Sequence, residues 1–521
     1  MRNIVLFLSL TVFAVTGFAA SPKMKAPFEK KGKLKSVNSI DQAVRRYHRK
    51  FNIKSAAPCS DEVFVRRVYL DVIGTLPTPT EVVKFLRNRE KDKREKLIDH
   101  LLERPEFADY WSLKWCDLLR VKAEFPINMW PNAVQAYHRW IHDSIRTNRP
   151  YDEFARMLLT SSGSNFRVPA VNFYRGVQDR KPAGLAQAAA LTFMGARFEK
   201  WPEDRRKGME AFFSRVAYKK TVEWKEEIVH LAPPSPSAVR TMFPDGSPAM
   251  IAPNEDPRQL FADWLIRPGN PWFTKNIVNR VWFWLVGRGV VHAPDDIRED
   301  NPPANPDLLK ALEKELVKAK YDLKELYRLI LNSSTYQQSP VPRDDDPRTE
   351  SLFGHYIVRR LPAEVLIDAL CNITGSSVKY MSAIPEPFTF IPEERRTIAL
   401  SDGSITSPFL EMFGRPARDT GLESERNDRP TGAQRLHLLN STDIQGRIER
   451  SPRLGKLLLG RRKEPGEKIR QVYLLILSRE PTEVEVAAIM KYFASGIAGA
   501  KQAADDVVWA LINSKEFLYR H

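Results

Sequence analysis

Apolar residues recur at three- and four-residue spacing from about Asn38 to Tyr218, as in Val63, Val65, Val68, Tyr69 and Val72. That is the period of an amphipathic helix, and it predicts an N-terminal helical domain over residues 38–230. Near its end, the alternation from Thr221 to His230 allows a short strand. Pro233, Pro234, Pro236, Pro244, Pro248, Pro253 and Pro257 follow closely. Such density forbids helix and removes backbone donors, so residues 231–257 read as a linker. Helical patterning resumes over 258–521 and predicts a second helical domain. It is interrupted at 338–350 and 376–430, where Pro, Gly, Asp and Ser predict long surface loops. The expected fold class is all-α, two helical domains with long loops.

The two ends of the chain echo each other. Tyr69-Leu70 is followed eight residues after the Tyr by Pro77-Thr78 and then Glu81-Val82; Tyr473-Leu474 leads at the same spacing to Pro481-Thr482 and Glu485-Val486. In each, the threonine can accept first-turn amides while the glutamate reaches back, a capping box that starts the second helix of a hairpin. Each copy later reaches a Glu-Phe pair, Glu106-Phe107 and Glu516-Phe517. The favoured reading is a structural repeat over 69–107 and 473–517, which implies packing rather than chemistry. Chance recurrence of a common helix-start signal is the alternative.

The first residues change the compartment. Arg2 precedes an apolar run from Ile4 to Val15 that ends in Gly17, Ala19 and Ala20. This is the pattern of a secretory signal cleaved near Ala19/Ala20. No cysteine follows directly for lipid attachment, and no later segment approaches the roughly 20 apolar residues of a membrane span. A periplasmic or secreted protein is expected, with residues 21–37 a mobile basic tail carrying Lys23, Lys25, Lys30, Lys31, Lys33 and Lys35. A chain of 521 residues usually divides into two domains, and 43% hydrophobic content can fill both cores.

The formal charge is +17, and loss of the signal with its one Arg2 leaves +16. In an exported protein this points away from nucleic acid and towards an acidic glycan, an anionic envelope surface or an acidic partner protein. Simple solubility is the favoured explanation of the charge, since charge balance alone says nothing about a site. Cys59, Cys116 and Cys371 fit neither a zinc site nor a dense disulfide scaffold, leaving one disulfide or none.

Few segments carry candidate chemistry. His138 and His142 are four apart on a predicted helix, a spacing that can hold a metal, but no third ligand lies nearby and packed or exposed histidines are expected. The run Ser161-Ser162-Gly163-Ser164-Asn165 lacks the Gly-x-Ser-x-Gly spacing of a nucleophile elbow. The densest stretch holds Asn279-Arg280-Val281-Trp282, then Gly287-Arg288-Gly289, Asp295-Asp296 and Asn301-Pro302-Pro303. Asn279, Arg280, Trp282, Arg288, Asp295 and Asp296 form the candidate cluster. The carboxylates can accept bidentate bonds from Arg280 or Arg288 in a buried knot. Read functionally, the same carboxylates could serve as acid and base or hold calcium, although such sites need further oxygen ligands or a separated second carboxylate. Arg66, Arg67 and Asp71, and likewise Arg359, Arg360, Glu364 and Asp368, read as helical charge ladders. No catalytic or metal-binding residue is assigned.

With these segments the chain resembles the planctomycete-type cytochrome-associated family, secreted proteins built from two adjoining domains of unknown function. In the first half the resemblance rests on Arg67-Val68-Tyr69-Leu70-Asp71-Val72-Ile73-Gly74, Pro77 to Val82, Pro150-Tyr151-Asp152-Glu153-Phe154 and Pro169-Ala170-Val171-Asn172-Phe173-Tyr174. In the second half it rests on the Asn279, Gly287 and Asp295 motifs above, with Asn305-Pro306-Asp307-Leu308-Leu309 and Asn513-Ser514-Lys515-Glu516-Phe517. The resemblance implies a Cys-x-x-Cys-His segment between a Phe-x-Gly stretch and a Lys-Trp pair. Here Phe193-Met194-Gly195-Ala196-Arg197-Phe198 runs directly into Glu199-Lys200-Trp201-Pro202, without paired thiols for a c-type haem. A second family segment like Cys-Glu-Cys-Glu-Arg stands as Leu422-Glu423-Ser424-Glu425-Arg426.

No cofactor is therefore expected, haem included, and a redox role would need other ligands. The resemblance also implies association with polysaccharide-related secreted systems. Together these readings predict an exported, non-catalytic binding or assembly component of the envelope, partnered by an acidic glycan or by a secreted protein acting on one. The competing expectation is a hydrolase using Arg280, Arg288, Asp295 and Asp296 in an interdomain cleft.

Overall fold

The computed structural model describes residues 27–32, 34–460 and 464–521. The expected signal and the tail segment 21–26 lie outside the described residues. Helix accounts for 52% of the residues and strand for 6%, so the fold is helix-dominated rather than purely all-α. Among the described residues no helix is long and apolar enough to cross a membrane.

Four of the seven strands among the described residues cluster at the end of the expected helical domain and within the expected linker. Val216–Lys220 pairs antiparallel with Glu227–Leu231 in the register Val216↔Leu231, and Glu227–Leu231 also pairs with Gly163–Ser164. The proline-rich stretch holds no helix before Pro257, as its composition dictates, but it is more than a loose connection. Val239–Met242 and Pro248–Ile251 form an antiparallel hairpin that turns at Gly246, whose φ of 83° suits glycine. The hairpin packs on helix Glu203–Ala211, where Thr241 donates its hydroxyl to the Gly208 carbonyl at 2.8 Å.

A single apolar cluster spans both halves of the chain. Trp111, on helix Pro105–Leu118, packs against Tyr327 and Trp284 with ring centres 4.4 and 5.6 Å apart. Apolar packing thereby runs unbroken from the first half of the chain into the second. The 376–430 stretch also departs from expectation. Ile398, Leu400, Ile405, Leu410 and Phe413 are buried, so this segment lines the core rather than looping over the surface. Its abundant Pro and Gly break helices without making it solvent-exposed.

Both ends of the sequence echo start a helix where the capping boxes place it. Thr78 caps Pro79–Arg87 and Thr482 caps Glu483–Ala494, with Glu81 and Glu485 reaching back to the cap amides. A shared polar clamp closes each hairpin. Arg104 bridges Glu81 at 2.8 Å and Glu106, while Arg479 bridges Glu485 at 2.7 Å and Glu516 at 2.6 Å. The two arginines occupy different places in their copies, so the clamp is built twice from different sequence positions. Helix Pro465–Ile476 lies against Pro79–Arg87, setting the hairpins side by side.

Arg66, Arg67 and Asp71 do not form a surface ladder. Helix Asp61–Val72 is buried nearly all round, and its charged groups find distant partners. Arg66 donates to the carbonyls of Ile476 and Phe517, both at 2.9 Å, and Arg67 to those of Tyr336 and His521. Asp71 accepts from Arg520 at 2.8 Å and from the hydroxyls of Tyr336 and Tyr356 at 2.9 and 2.8 Å. Tyr519–Arg520 pairs with Arg359–Arg360 as a short antiparallel ladder. The lysine-rich tail is likewise docked where it is described. Glu29 is buried and accepts both oxygens' worth of bonds from Arg343, and Phe28 packs edge-on against His521.

Candidate functional site

Helix Phe273–Val286 carries the predicted cluster. It ends at Gly287 in the left-handed region, φ 98°, where an added Cβ would lie 2.6 Å from the Arg359 side chain. Asn279 clamps the returning chain, donating to the Val291 carbonyl and accepting its amide, both at 2.9 Å. Arg280 is fully enclosed and pairs with Asp295 at 2.6 Å. Its Nε donates to Asn276 at 3.1 Å and its Nη2 to the Leu191 carbonyl at 2.9 Å. Asp295 in turn accepts the Glu423 amide at 2.7 Å. Trp282 fills the core against Phe353.

Arg288 and Asp296 do not join this pair. The turn at Gly287 sends Arg288 to Glu350, 3.8 Å away, while Asp296 meets Lys200 at 3.4 Å and Arg298 at 3.2 Å. The six residues thus divide into a buried link of Asn279, Arg280, Trp282 and Asp295 and two residues, Arg288 and Asp296, held in partly exposed surface ion pairs.

The charges read as a ladder around Arg360 and Glu364 belong to a larger buried network. Arg426 donates to both oxygens of Glu364 at 2.7 and 3.0 Å and to Asp117 at 2.6 Å; Arg418 reaches Asp117 at 2.9 Å and Arg415 lies 3.5 Å from Glu364. Burial alone would raise the Glu364 carboxyl, but Arg426 and Arg415 overcome it and hold the group well below the usual carboxylate range. Arg360 caps the carbonyls of Phe413 and Asn427, and Asp368 accepts the amides of Thr397 and Ile398. Glu423 accepts from the Trp284 indole at 2.9 Å. Burial first, with Asp295 beside it, raises its pKa despite Lys114. This network of ion pairs fixes the second half of the chain to helix Pro105–Leu118, with each of Glu364 and Asp117 held by two arginines.

Free chemistry lies elsewhere, in a cleft of about 520 Å³. One wall is helix Pro131–Arg146, which places His138 and His142 on one face with ring centres 6.2 Å apart. His142 Nε2 lies 3.3 Å from an Asp109 oxygen. Burial, then the nearby Arg418 guanidinium, push His138 down to about 3, so it stays neutral near pH 7. The opposite wall comes from the 389–405 segment, with Thr389, Phe390 and Arg395. The Thr389 hydroxyl is buried and has no hydrogen-bond partner among the described residues. Asp402 uses one oxygen to accept the amides of Ala123 and Ser404, which shapes the neighbouring loop. Arg139 and Arg395 are exposed, and neither has an ion-pair partner among the described residues.

Aromatic rings extend beyond this cleft. Phe390 on its rim is 67% exposed, and Phe388, two residues away, packs 5.5 Å from Trp130. Trp130 stands 6.2 Å from Trp224, itself 65% exposed, and Lys225 lies 5.1 Å over both indoles. No group of three or more His, Cys, Asp or Glu among the described residues is arranged to hold a metal ion. Cys59, Cys116 and Cys371 are free thiols.

Two family models match the chain side by side. Residues 39–213 match PSCyt2, described as a protein of unknown function (DUF1549), and residues 257–493 match PSD1, described as a protein of unknown function (DUF1553). The chain belongs to the two-domain PSCyt2–PSD1 family. No curated protein and no solved structure matches it.

In this PSCyt2–PSD1 protein both matched parts build the cleft, with Asp109, His138 and His142 from the first and Thr389, Phe390 and Arg395 from the second. Leu191, two residues before the 193–198 run, and the distant run 422–426 are joined through the buried link, because Arg280 holds the Leu191 carbonyl and Asp295 the Glu423 amide. The sequence signalled the cleft only through the His138–His142 spacing. Arg395, Thr389 and Phe390 lie in a stretch whose composition predicts a surface loop, and no local pattern marks them.

Proposed function

We propose that the protein is an exported, non-catalytic binding component of the cell envelope that holds an acidic polysaccharide along the His138–Arg395 cleft. The observation that carries this reading is the pairing of two unpartnered guanidinium groups, Arg139 and Arg395, with exposed aromatic rings beside one cleft. Guanidinium groups bind carboxylate or sulfate with bidentate geometry. Flat exposed rings offer apolar faces on which sugar rings can rest. The basic charge of the whole chain draws a polyanion to the surface over a Debye length. The competing hydrolytic reading needs Arg280 and Asp295 open to substrate, whereas both side chains are enclosed.

Native gels cast with polygalacturonate or with neutral dextran test this directly. The protein is expected to be retarded by polygalacturonate alone, and the retardation to weaken with added salt. The double variant Arg139→Gln/Arg395→Gln should migrate freely in both gels. Equal mobility of the wild type in both gels would overturn the reading, and release of new reducing ends from the polymer would show an enzyme instead.

A further inference from the structure

We propose that a second pocket, centred on Arg120, binds a small polar molecule through a carboxylate, sulfate or phosphate group. The pocket has a volume of about 340 Å³ and shares no lining residue with the cleft. This lies at the lower end of the roughly 300–1,000 Å³ typical of small-molecule sites.

Arg120 is 3% exposed, yet no carboxylate pairs with it among the described residues. Its Nε donates to the Gly176 carbonyl and its Nη1 to that of Leu118 at 3.2 Å, while Nη2 has no hydrogen-bond partner among the described residues. Other enclosed arginines of this protein are compensated. Arg280, Arg418, Arg426 and Arg520 each meet a carboxylate. Arg66 and Arg67 lack one, but each lies over an aromatic ring, Phe517 or Tyr356, and neither lines one of these pockets. Of these seven, Arg120 alone lines one of these pockets, and it does so without a paired carboxylate among the described residues. A buried cation in that position is costly unless an anion arrives.

The backbone is shaped to present it. Arg120 holds a left-handed φ of 56°, a conformation that costs a non-glycine residue about 1 kcal/mol or more and that concentrates at functional sites. Across from it Gly421, φ 74°, brings the chain so close that a Cβ would lie 2.5 Å from Arg120 Nη1. The rest of the lining suits a polar ligand. Gln187, Gln178 and Thr420 are exposed neutral hydrogen-bonding groups. The carboxylates at the rim are engaged, Asp419 by Lys122 at 2.7 Å, Asp179 by the Lys181 amide at 3.0 Å and Glu199 by Arg197 at 3.9 Å. They leave acceptor positions for ligand hydroxyls without opposing an anion seated deep on Arg120.

Titration calorimetry with inorganic sulfate, inorganic phosphate and glucuronate, each into the full chain, tests the site and separates the three anion types. At least one should bind saturably, and Arg120→Gln should weaken it by on the order of tenfold or more. Gln187→Glu, an exposed position that adds a like charge, should weaken it similarly without touching the buried guanidinium. Arg139→Gln in the cleft should leave it unchanged, so failure here is distinct from failure of the polysaccharide reading. Absence of saturable binding by all three anions, or equal binding by wild type and Gln187→Glu, would overturn the proposal.

Discussion

Arg280→Ala and Asp295→Ala are each expected to lower the unfolding free energy of the full chain by about 3–5 kcal/mol, whereas Arg288→Ala and Asp296→Ala should change it by roughly 1 kcal/mol or less. The contrast follows from burial. Arg280 and Asp295 are almost wholly enclosed, with side-chain exposures of 0% and 3%, and removing either strands the other's charge in the core. Losing Arg280 also releases the Leu191 carbonyl and Asn276; losing Asp295 releases the Glu423 amide. Arg288 and Asp296 keep water within reach, so solvent replaces what their partners supplied. Replacing both Arg280 and Asp295 by apolar residues should recover part of the loss, because no lone charge is then left. Urea unfolding followed by tryptophan fluorescence reads all five variants on one scale. Similar losses for all four single substitutions would mean that the cluster is one unit and that its division into link and surface pairs is wrong.

Arg520→Ala should be comparably severe, by about 3–5 kcal/mol, although Arg520 lies one residue from the end of this sequence. Its guanidinium pairs with Asp71 at 2.8 Å and donates to the Tyr110 hydroxyl at 3.0 Å. Without it, Asp71 keeps two tyrosine hydroxyls and Arg359 at 3.6 Å, too little to balance a fully buried carboxylate. The test is a double-mutant cycle. Asp71→Asn should cost less in the Arg520→Ala background than in the wild type, since it removes the stranded charge. Additive losses would show that Arg520 acts through packing alone.

These two pairs mark where sequence reading stops. Capping boxes at Thr78 and Thr482 are legible because every participant lies within three residues. Helix and strand periods likewise register local neighbours. Asp71 and Arg520 are 449 residues apart, and nothing in either neighbourhood names the other, so Arg66, Arg67 and Asp71 looked like an ordinary solvated face. The same blindness joined the candidate cluster wrongly. Adjacency of Asp295 and Asp296 suggested one role, but consecutive residues point to different sides of the chain. Loop composition misled for another reason. The 376–430 stretch has the Pro and Gly content of a surface connection, yet Ile398, Leu400 and Ile405 carry it into the core. Its polar members then supply Thr389 and Arg395 to the cleft, opposite the histidines whose spacing was the one visible sign of it.

The central claim is that an anionic sugar chain lies in the cleft against Arg139, Arg395 and the neighbouring rings. Hydrogen–deuterium exchange of the full chain with and without a defined oligogalacturonide tests it most directly. The account predicts slowed exchange in the peptides covering 131–146 and 386–405, lost in Arg139→Gln/Arg395→Gln, with the peptides covering 273–297 unchanged. Protection confined to 273–297, or none in the cleft at saturating oligosaccharide, would contradict it.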